Sequence, residues 1–176
     1  MATYKKGFKK QNAETVLLKV IIGIIISVFA FVALAFIYEA STAWRTYDHY
    51  TLVTEYDGIM EYTNGTDTAL EDYVVYFYSD TCTNCETAKL DVLKDGNKLN
   101  KSSDFFFLAN VDTMSDETNN MATFLDTIGM SSSDVTPTPL LIVVANGEFY
   151  GAYSGATSVV DTMDSIANGT FEAFND

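Results

Sequence analysis

The longest uninterrupted apolar run of the chain lies near its N-terminus. Residues 20–38 read VIIGIIISVFAFVALAFIY and contain no charged side chain. At about 1.5 Å per residue in a helix, this run nearly matches a hydrocarbon core about 30 Å thick. The pattern therefore predicts a transmembrane helix over residues 20–38. It leaves residues 1–19 as a basic tail, residues 39–70 as a juxtamembrane lead-in segment and residues 71–176 as a folded domain.

The charges beside this run indicate its orientation. Residues 1–19 carry five lysines against Glu14, a net charge of +4, whereas the other flank begins Glu39-Ala40-Ser41-Thr42. The positive-inside rule predicts a single-pass signal anchor in the cell membrane, with a cytoplasmic N-terminus and an extracytoplasmic C-terminal domain. Ala33-Leu34-Ala35 has the small-x-small form of a cleavage site, so a cleaved signal peptide is the alternative. The run exceeds a usual signal-peptide core of about 7 to 15 residues, which favours a retained anchor.

The lead-in segment has a helical spacing of large side chains. They recur at steps of three and four, the period of a helix. The residues are Tyr47, Tyr50, Val53, Tyr56 and Met60. The pattern predicts a juxtamembrane helix or lead-in segment that ends near Asn64-Gly65.

The rest of the chain alternates between strand-like runs and helical periods. Strands are predicted at residues 73–78, 105–111 and 140–144, and Asn146-Gly147 predicts a hairpin turn into a partner strand over residues 148–153. Helices are predicted after Cys82, ending near Asp95-Gly96-Asn97, around residues 121–128, ending at Gly129, and at residues 157–167. This order predicts an α/β fold, a mixed sheet with helices on both faces.

Charge and composition narrow the functions. The chain has 176 residues and a net charge of -14, so the part after the basic tail sums to -18. Such an acidic domain repels nucleic acid and anionic lipid headgroups, and no nucleic-acid partner is expected. Since 48% of the residues are hydrophobic, the chain can still build the core of one domain.

The two cysteines of the chain, Cys82 and Cys85, have two residues between them and lie at the start of a predicted helix. Unpaired N–H groups and the positive end of the helix dipole lower the pKa of a thiol at this place. Cys82 is therefore the predicted nucleophile. Cys85, one turn further on, is the predicted resolving thiol, which attacks the mixed disulfide and releases the substrate. This chemistry requires no bound cofactor.

The sequence disfavours two other roles for the cysteines. An inert stabilising disulfide is possible in principle, but closing so short a loop restricts the unfolded chain little. A zinc site needs two more ligands, and His49, the one histidine of the chain, has no partner motif. No metal site is expected.

From about residue 45 onward, several segments resemble the thioredoxin family. Residues 77–85, FYSDTCTNC, resemble its strand and active-site turn, and Asn110-Val111-Asp112 resembles the acidic end of its next core strand. The resemblance implies a thioredoxin-like fold and exchange with protein thiols and disulfides.

Residues 138–148, TPLLIVVANGE, give the tighter match, because Pro139 falls where the family has its cis-proline. Such a proline would hold its loop against the cysteines and leave Thr138 to pair with an extended substrate. Pro137 is the alternative, but the spacing to Asn146-Gly147 favours Pro139. Gly155 falls where the family keeps a glycine before its last helix.

The chain also departs from the family pattern. Thr81 replaces the usual tryptophan, Thr83-Asn84 replaces Gly-Pro between the cysteines, and Tyr76 replaces a buried acid. Asp80 and Glu86 place negative charge near the thiols, which opposes thiolate formation. The direction of electron flow therefore stays open.

Together, these features predict a membrane-inserted thiol-disulfide oxidoreductase with protein substrates and a membrane redox partner. Anchored relatives of this kind include cytochrome-maturation reductases, disulfide-forming oxidases and bacteriocin-accessory proteins. The alternative is a redox-inactive binding or assembly protein that serves a membrane or secreted partner, since a fold does not fix a function.

Overall fold

The chain is organised in two units. A computed structural model describes residues 13–60, 70–101, 103, 105–114, 120–131, 133 and 138–174. The described residues divide between Ala43 and Trp44. The first unit holds one helix of 30 residues, α1 (Ala13–Thr42), in which no residue is buried. This helix is long and apolar enough to cross a membrane, and it extends beyond the predicted span at both ends.

A mixed sheet of five strands forms the centre of the second unit. The strands are β1 (Leu52–Val53), β2 (Tyr73–Tyr78), β3 (Phe106–Asn110), β4 (Leu140–Ala145) and β5 (Glu148–Ser154), in the order β1-β3-β2-β4-β5. β1 and β2 run parallel to β3, whereas β4 runs antiparallel to β2 and β5. Every residue of β2, β3 and β4 is buried, which is why these strands read as almost continuous apolar runs.

Helices cover both faces of this sheet. α2 (Thr83–Leu99) and α5 (Ala156–Ala167) pack on one face, which we call the cysteine face. α4 (Met121–Thr127) packs on the other, which we call the opposite face, and α3 (Val111–Met114) is a single turn after β3. Side chains of β2 alternate between the faces, so Tyr76 belongs to the cysteine face and Tyr73 to the opposite face.

The predicted fold class is confirmed: the domain has a thioredoxin-like α/β fold. Asn146 and Gly147 both have positive φ, 54° and 73°, as the tight turn between β4 and β5 requires. Gly129, with φ of 77°, follows α4 as predicted. In the second unit, the predicted strands and helices agree with the observed ones to within about two residues, with two exceptions, in the lead-in segment and at the end of α2.

The helix predicted in the lead-in segment is wrong. The segment forms two 3-10 turns, Ala43–Arg45 and Tyr47–His49, and then the short strand β1. Tyr50 is buried on the cysteine face, whereas Val53 and Tyr56 are buried on the opposite face. The regular spacing therefore comes from a segment that passes the edge of the sheet and contributes to both faces. The predicted end at Asn64-Gly65 lies outside the described residues.

The predicted end of α2 near Asp95-Gly96-Asn97 is also wrong, because the helix continues to Leu99. Gly96 lies inside the helix, where it packs against Phe106 of β3. A Cβ atom at this position would stand 2.4 to 2.8 Å from three atoms of the Phe106 ring. The glycine therefore permits a close approach of helix and sheet and does not end the helix.

Candidate redox site

The helix α2 begins at the first cysteine. Cys82 is its N-cap, with an extended backbone, and its Sγ accepts a hydrogen bond from the backbone N–H of Cys85 at 3.0 Å. The sulfur thus takes the place of the side-chain oxygen that caps most helices. Cys82 and Cys85 form a disulfide, with their Cα atoms 5.2 Å apart. The two predicted cysteines are therefore bonded to each other at the positive end of a helix.

The two sulfurs differ in exposure. Cys85 is 1% exposed and belongs to the buried cluster of the cysteine face, whereas Cys82 is only half-buried at its edge. A thiol or thiolate that approaches from solvent therefore reaches the sulfur of Cys82 first. This asymmetry supports thiol-disulfide redox chemistry at the pair.

The turn before Cys82 is held by the end of β3. The carboxylate of Asp112 accepts hydrogen bonds from the Ser79 hydroxyl, at 2.9 Å to Oδ2, and from the Asp80 backbone N–H, at 2.8 Å. The side-chain amide of Asn110 donates to Asp80 Oδ2 at 3.2 Å. This network fixes the path of the chain between β2 and Cys82. The sequence resemblance placed Asn110-Val111-Asp112 at the end of a strand but did not show this contact.

A cavity of about 420 Å³ opens beside the disulfide. It is lined by both cysteines, by the turn before them, by the first turns of α2 and by Tyr47 of the lead-in segment. The Lys89 ammonium lies 4.5 Å from the centre of the Tyr47 ring and 3.7 Å from the Glu86 carboxylate. Lys89 therefore offsets part of the negative charge that Glu86 places beside Cys85.

Tyr47 lines this cavity and contacts two further tyrosines, Tyr76 and Tyr78. The Tyr47 ring stacks on Tyr78 with 3.8 Å between ring centres, and Tyr76 is completely buried on the same face. Burial raises the pKa of Tyr47 to about 12, and the negative charge of Glu86 adds to the rise. Burial also raises the pKa of Tyr76. Both hydroxyls therefore carry their protons at neutral pH and can donate hydrogen bonds.

The predicted proline loop lies at the same end of the sheet. The peptide bond between Thr138 and Pro139 is cis, and Pro137 lies outside the described residues. The Pro139 carbonyl accepts a hydrogen bond at 2.9 Å from the N–H of Gly155, whose φ of 85° favours glycine. Leu140, the next residue, pairs with Phe77 near the end of β2. Thr138 and Pro139 are both described, and neither lines the cavity beside Cys82.

The prediction from the sequence did not include Tyr47, Lys89 and Asp112 among the residues of the site. Tyr47 is far from the cysteines along the chain and has no motif of its own. His49 lies in the same 3-10 turn, with its ring against Tyr50 and not in the cavity. Within the described ranges, no group of three or more His, Cys, Asp or Glu side chains is placed to hold a metal ion.

Comparison with known proteins returned matches to solved structures alone: no family model and no curated protein matches the sequence. A thioredoxin of Malassezia sympodialis is 16% identical, with a TM-score of 0.47 over 69% of this chain and 90% of that one. Mitochondrial thioredoxin 3 of Saccharomyces cerevisiae is 16% identical, with a TM-score of 0.44 over 70% and 95%. Plasmodium falciparum thioredoxin is 15% identical, with a TM-score of 0.45 over 69% and 99%. The strand order β1-β3-β2-β4-β5, with a Cys-x-x-Cys disulfide at the start of α2, gives this chain its thioredoxin-like fold.

Proposed function

We propose that this chain is a membrane-tethered, extracytoplasmic thiol-disulfide oxidoreductase that exchanges disulfides with partner proteins. The observation that carries the proposal is the Cys82–Cys85 disulfide at the N-terminus of α2, with one sulfur half-exposed and the other buried. The apolar helix α1 and the lysines before it support the tether and its orientation. The predicted boundaries at residues 19, 38 and 70 belong to this proposal.

The reductive half of the exchange takes two steps. The Cys82 thiolate attacks a substrate disulfide, forms a mixed disulfide and releases one substrate sulfur, which takes up a proton. Cys85 then loses its proton and attacks the sulfur of Cys82. This second attack breaks the mixed disulfide, releases the other substrate sulfur as a thiolate and leaves the Cys82–Cys85 disulfide. The substrate gains two electrons and the cysteine pair loses two. The same steps in reverse oxidise a substrate dithiol.

Two parts of the structure suit the attack on Cys82. The N-terminal end of α2 supplies N–H groups and dipole charge that stabilise a thiolate there. In the proposal, the Thr138–Pro139 loop binds the extended substrate backbone near the end of β2. A membrane redox partner returns the pair to its starting state, because a pair that cycles outside the cytoplasm needs a source of electrons or oxidant.

The test uses two protein probes and the full chain in detergent micelles. Insulin with dithiothreitol reports disulfide reduction by turbidity, and reduced ribonuclease reports disulfide formation by recovered activity. We expect the wild-type chain to accelerate at least one of these reactions. Cys82→Ser should abolish the acceleration, and Cys85→Ser should accumulate a mixed disulfide with the probe, visible on a non-reducing gel.

The pattern of outcomes decides between the candidates. Acceleration of insulin reduction alone indicates a reductase, and acceleration of ribonuclease oxidation alone indicates an oxidase. If the wild-type chain accelerates neither reaction and Cys85→Ser traps no probe, the redox proposal is wrong. The protein would then be the redox-inactive binding protein with the same fold.

A further inference from the structure

The hydroxyl of Tyr76 is buried in the core of the cysteine face, where it stabilises the fold by no hydrogen bond to a described residue. Its side chain is completely buried, and its hydroxyl has no hydrogen-bond partner in the part of the chain that the structure describes. Its polar neighbour is the hydroxyl of Tyr47, but the two groups interact without the geometry of a formed hydrogen bond. Buried polar groups are nearly always hydrogen-bonded, so a group left without a partner requires an explanation.

Tyr47 lies in contact both with the cavity of the cysteines and with Tyr76. Its side chain lines the cavity together with Cys82 and Cys85. Two contacts hold its ring in place, the stacking on Tyr78 and the Lys89 ammonium over the ring. Tyr47 therefore shares a cavity with the disulfide and also interacts with Tyr76.

We propose that Tyr47 and Tyr76 are positioning residues whose hydroxyls stabilise the Cys85 thiolate and so promote the resolving step. This inference rests on the proposed function. In the oxidised chain the buried sulfur carries no charge, and the Tyr76 hydroxyl stays without a partner. When the mixed disulfide has formed on Cys82, Cys85 loses its proton to solvent through the cavity. The two hydroxyls then stabilise the negative sulfur by hydrogen bonds. Either both donate to the sulfur, or Tyr47 donates to the sulfur and Tyr76 donates to Tyr47.

The surrounding charges explain why such donors are needed. Acidic groups face the three tyrosines from four segments of the chain, and each disfavours a further negative charge nearby. These groups are Glu86 of α2, Asp80 of the turn before Cys82, Asp112 of α3 and Asp48 of the 3-10 turn Tyr47–His49. The phenol of Tyr78 and the cation of Lys89 also lie against Tyr47. Because burial holds the pKa of Tyr47 near 12, the hydroxyl acts as a donor and not as a base at neutral pH.

The test measures the resolving step alone. The reduced full chain in micelles is mixed with dithiobis(nitrobenzoate) in a stopped-flow instrument. Cys82 attacks the reagent and releases one nitrobenzoate thiolate; Cys85 then attacks the mixed disulfide on Cys82 and releases the second. The rate of the second release is recorded against pH for the wild type, Tyr47→Phe and Tyr76→Phe. Tyr153→Phe, which removes a hydroxyl from β5 beside Phe171, is the matched control.

We expect each of the two site variants to move the pH profile of the second release to higher pH. Near neutral pH the second release should slow about tenfold, the change that one pKa unit produces. The first release should stay the same, and so should both releases in Tyr153→Phe. The double variant should resemble either single variant if the hydroxyls act in series.

Two results would overturn the inference. One is an unchanged profile in both variants, which would show that the hydroxyls do not act on Cys85. The other is a shift in Tyr47→Phe without any shift in Tyr76→Phe, which would show that the buried hydroxyl is not used. A wild-type chain that releases no nitrobenzoate thiolate at all would contradict the proposed function instead. Circular dichroism of each variant checks that the domain is folded.

Discussion

Tyr73 and Tyr76 are both completely buried in β2, but their hydroxyls have different surroundings on the two faces of the sheet. On the opposite face, the Tyr73 hydroxyl donates a hydrogen bond to the Ile59 carbonyl at 2.6 Å. On the cysteine face, the Tyr76 hydroxyl has no such partner among the described residues. The opposite face thus satisfies the hydroxyl of its β2 tyrosine, as a core built for stability does, whereas the face that carries the disulfide leaves the Tyr76 hydroxyl unsatisfied by any described residue.

The cysteine face differs from a purely apolar core in other places as well. Gly96 lets α2 approach Phe106 closely, and Asp95 buries a carboxyl group on the same helix. Tyr50 ties the lead-in segment to α2 by donating to the carbonyls of Trp44 and Leu93. This face therefore combines core packing with polar and close contacts. We therefore expect the two faces to respond differently to the same kind of substitution.

The largest effect is expected at Gly96. In Gly96→Ala the new methyl group would overlap the Phe106 ring, and overpacking of this kind costs about 1 to 3 kcal/mol of unfolding free energy. The higher helix propensity of alanine offsets up to about 1 kcal/mol of this. Urea unfolding followed by the fluorescence of Trp44 measures the difference. Gly58→Ala is the control, because a Cβ there has no heavy atom within 4 Å. Equal stability of the two variants would show that the close approach at Gly96 is not tight.

A smaller effect is expected from the two tyrosines of β2. Tyr73→Phe leaves the Ile59 carbonyl without its donor and should cost about 1 to 2 kcal/mol. Tyr76→Phe breaks no hydrogen bond, and its unfolding free energy should stay within about 0.5 kcal/mol of the wild type or rise. The same urea titration compares them. Equal losses in both variants would contradict the distinction between the two faces.

The smallest effect is expected at Asp95 and depends on pH. Burial raises the pKa of the Asp95 carboxyl above its usual value, so the folded state binds this proton more strongly than the unfolded state does. The stabilisation that comes from this stronger proton binding is fully present below the unfolded-state pKa of about 3.8. It is lost as the pH rises through the higher pKa of the folded state. Asp95→Asn should therefore be slightly more stable than the wild type at pH 7, and the gain should disappear in acid.

The control for this prediction is Asp91→Asn, which removes the same charge from an exposed position of α2. Thermal unfolding of both variants between pH 3 and pH 7 tests it. A gain that is equal in the two variants would indicate a general effect of net charge on this acidic chain. A gain for Asp95→Asn that persists in acid would contradict the role of burial.

The sequence was sufficient for the central strands and for the positions of the cysteines. β2, β3 and β4 are buried on both sides and therefore appear as apolar runs, and Asn146-Gly147 marks its turn because it needs positive φ. The Cys-x-x-Cys spacing and Pro139 were also recognisable, because a few neighbouring residues are enough to identify each of them. The roles given to Cys82, Cys85, Thr138 and Pro139 stay predictions.

Features that depend on contacts distant in sequence were not predictable. β1 has only two residues and exists through its pairing with β3. Gly96 looked like a helix end because its reason is the ring of Phe106, which lies on another element. Tyr47 enters the cavity because the lead-in segment passes the edge of the sheet, and its spacing was instead read as a helix. In each case the tertiary contact overrides the local pattern.

The most direct test of the central claim is the reduction potential of the Cys82–Cys85 pair in the full chain. The protein in micelles is equilibrated in thiol buffers of graded potential, and free thiols are counted by alkylation while circular dichroism monitors the fold. We expect a reversible two-electron transition between about -270 and -120 mV in a domain that stays folded. A disulfide that stays oxidised in every buffer until the domain unfolds would contradict it.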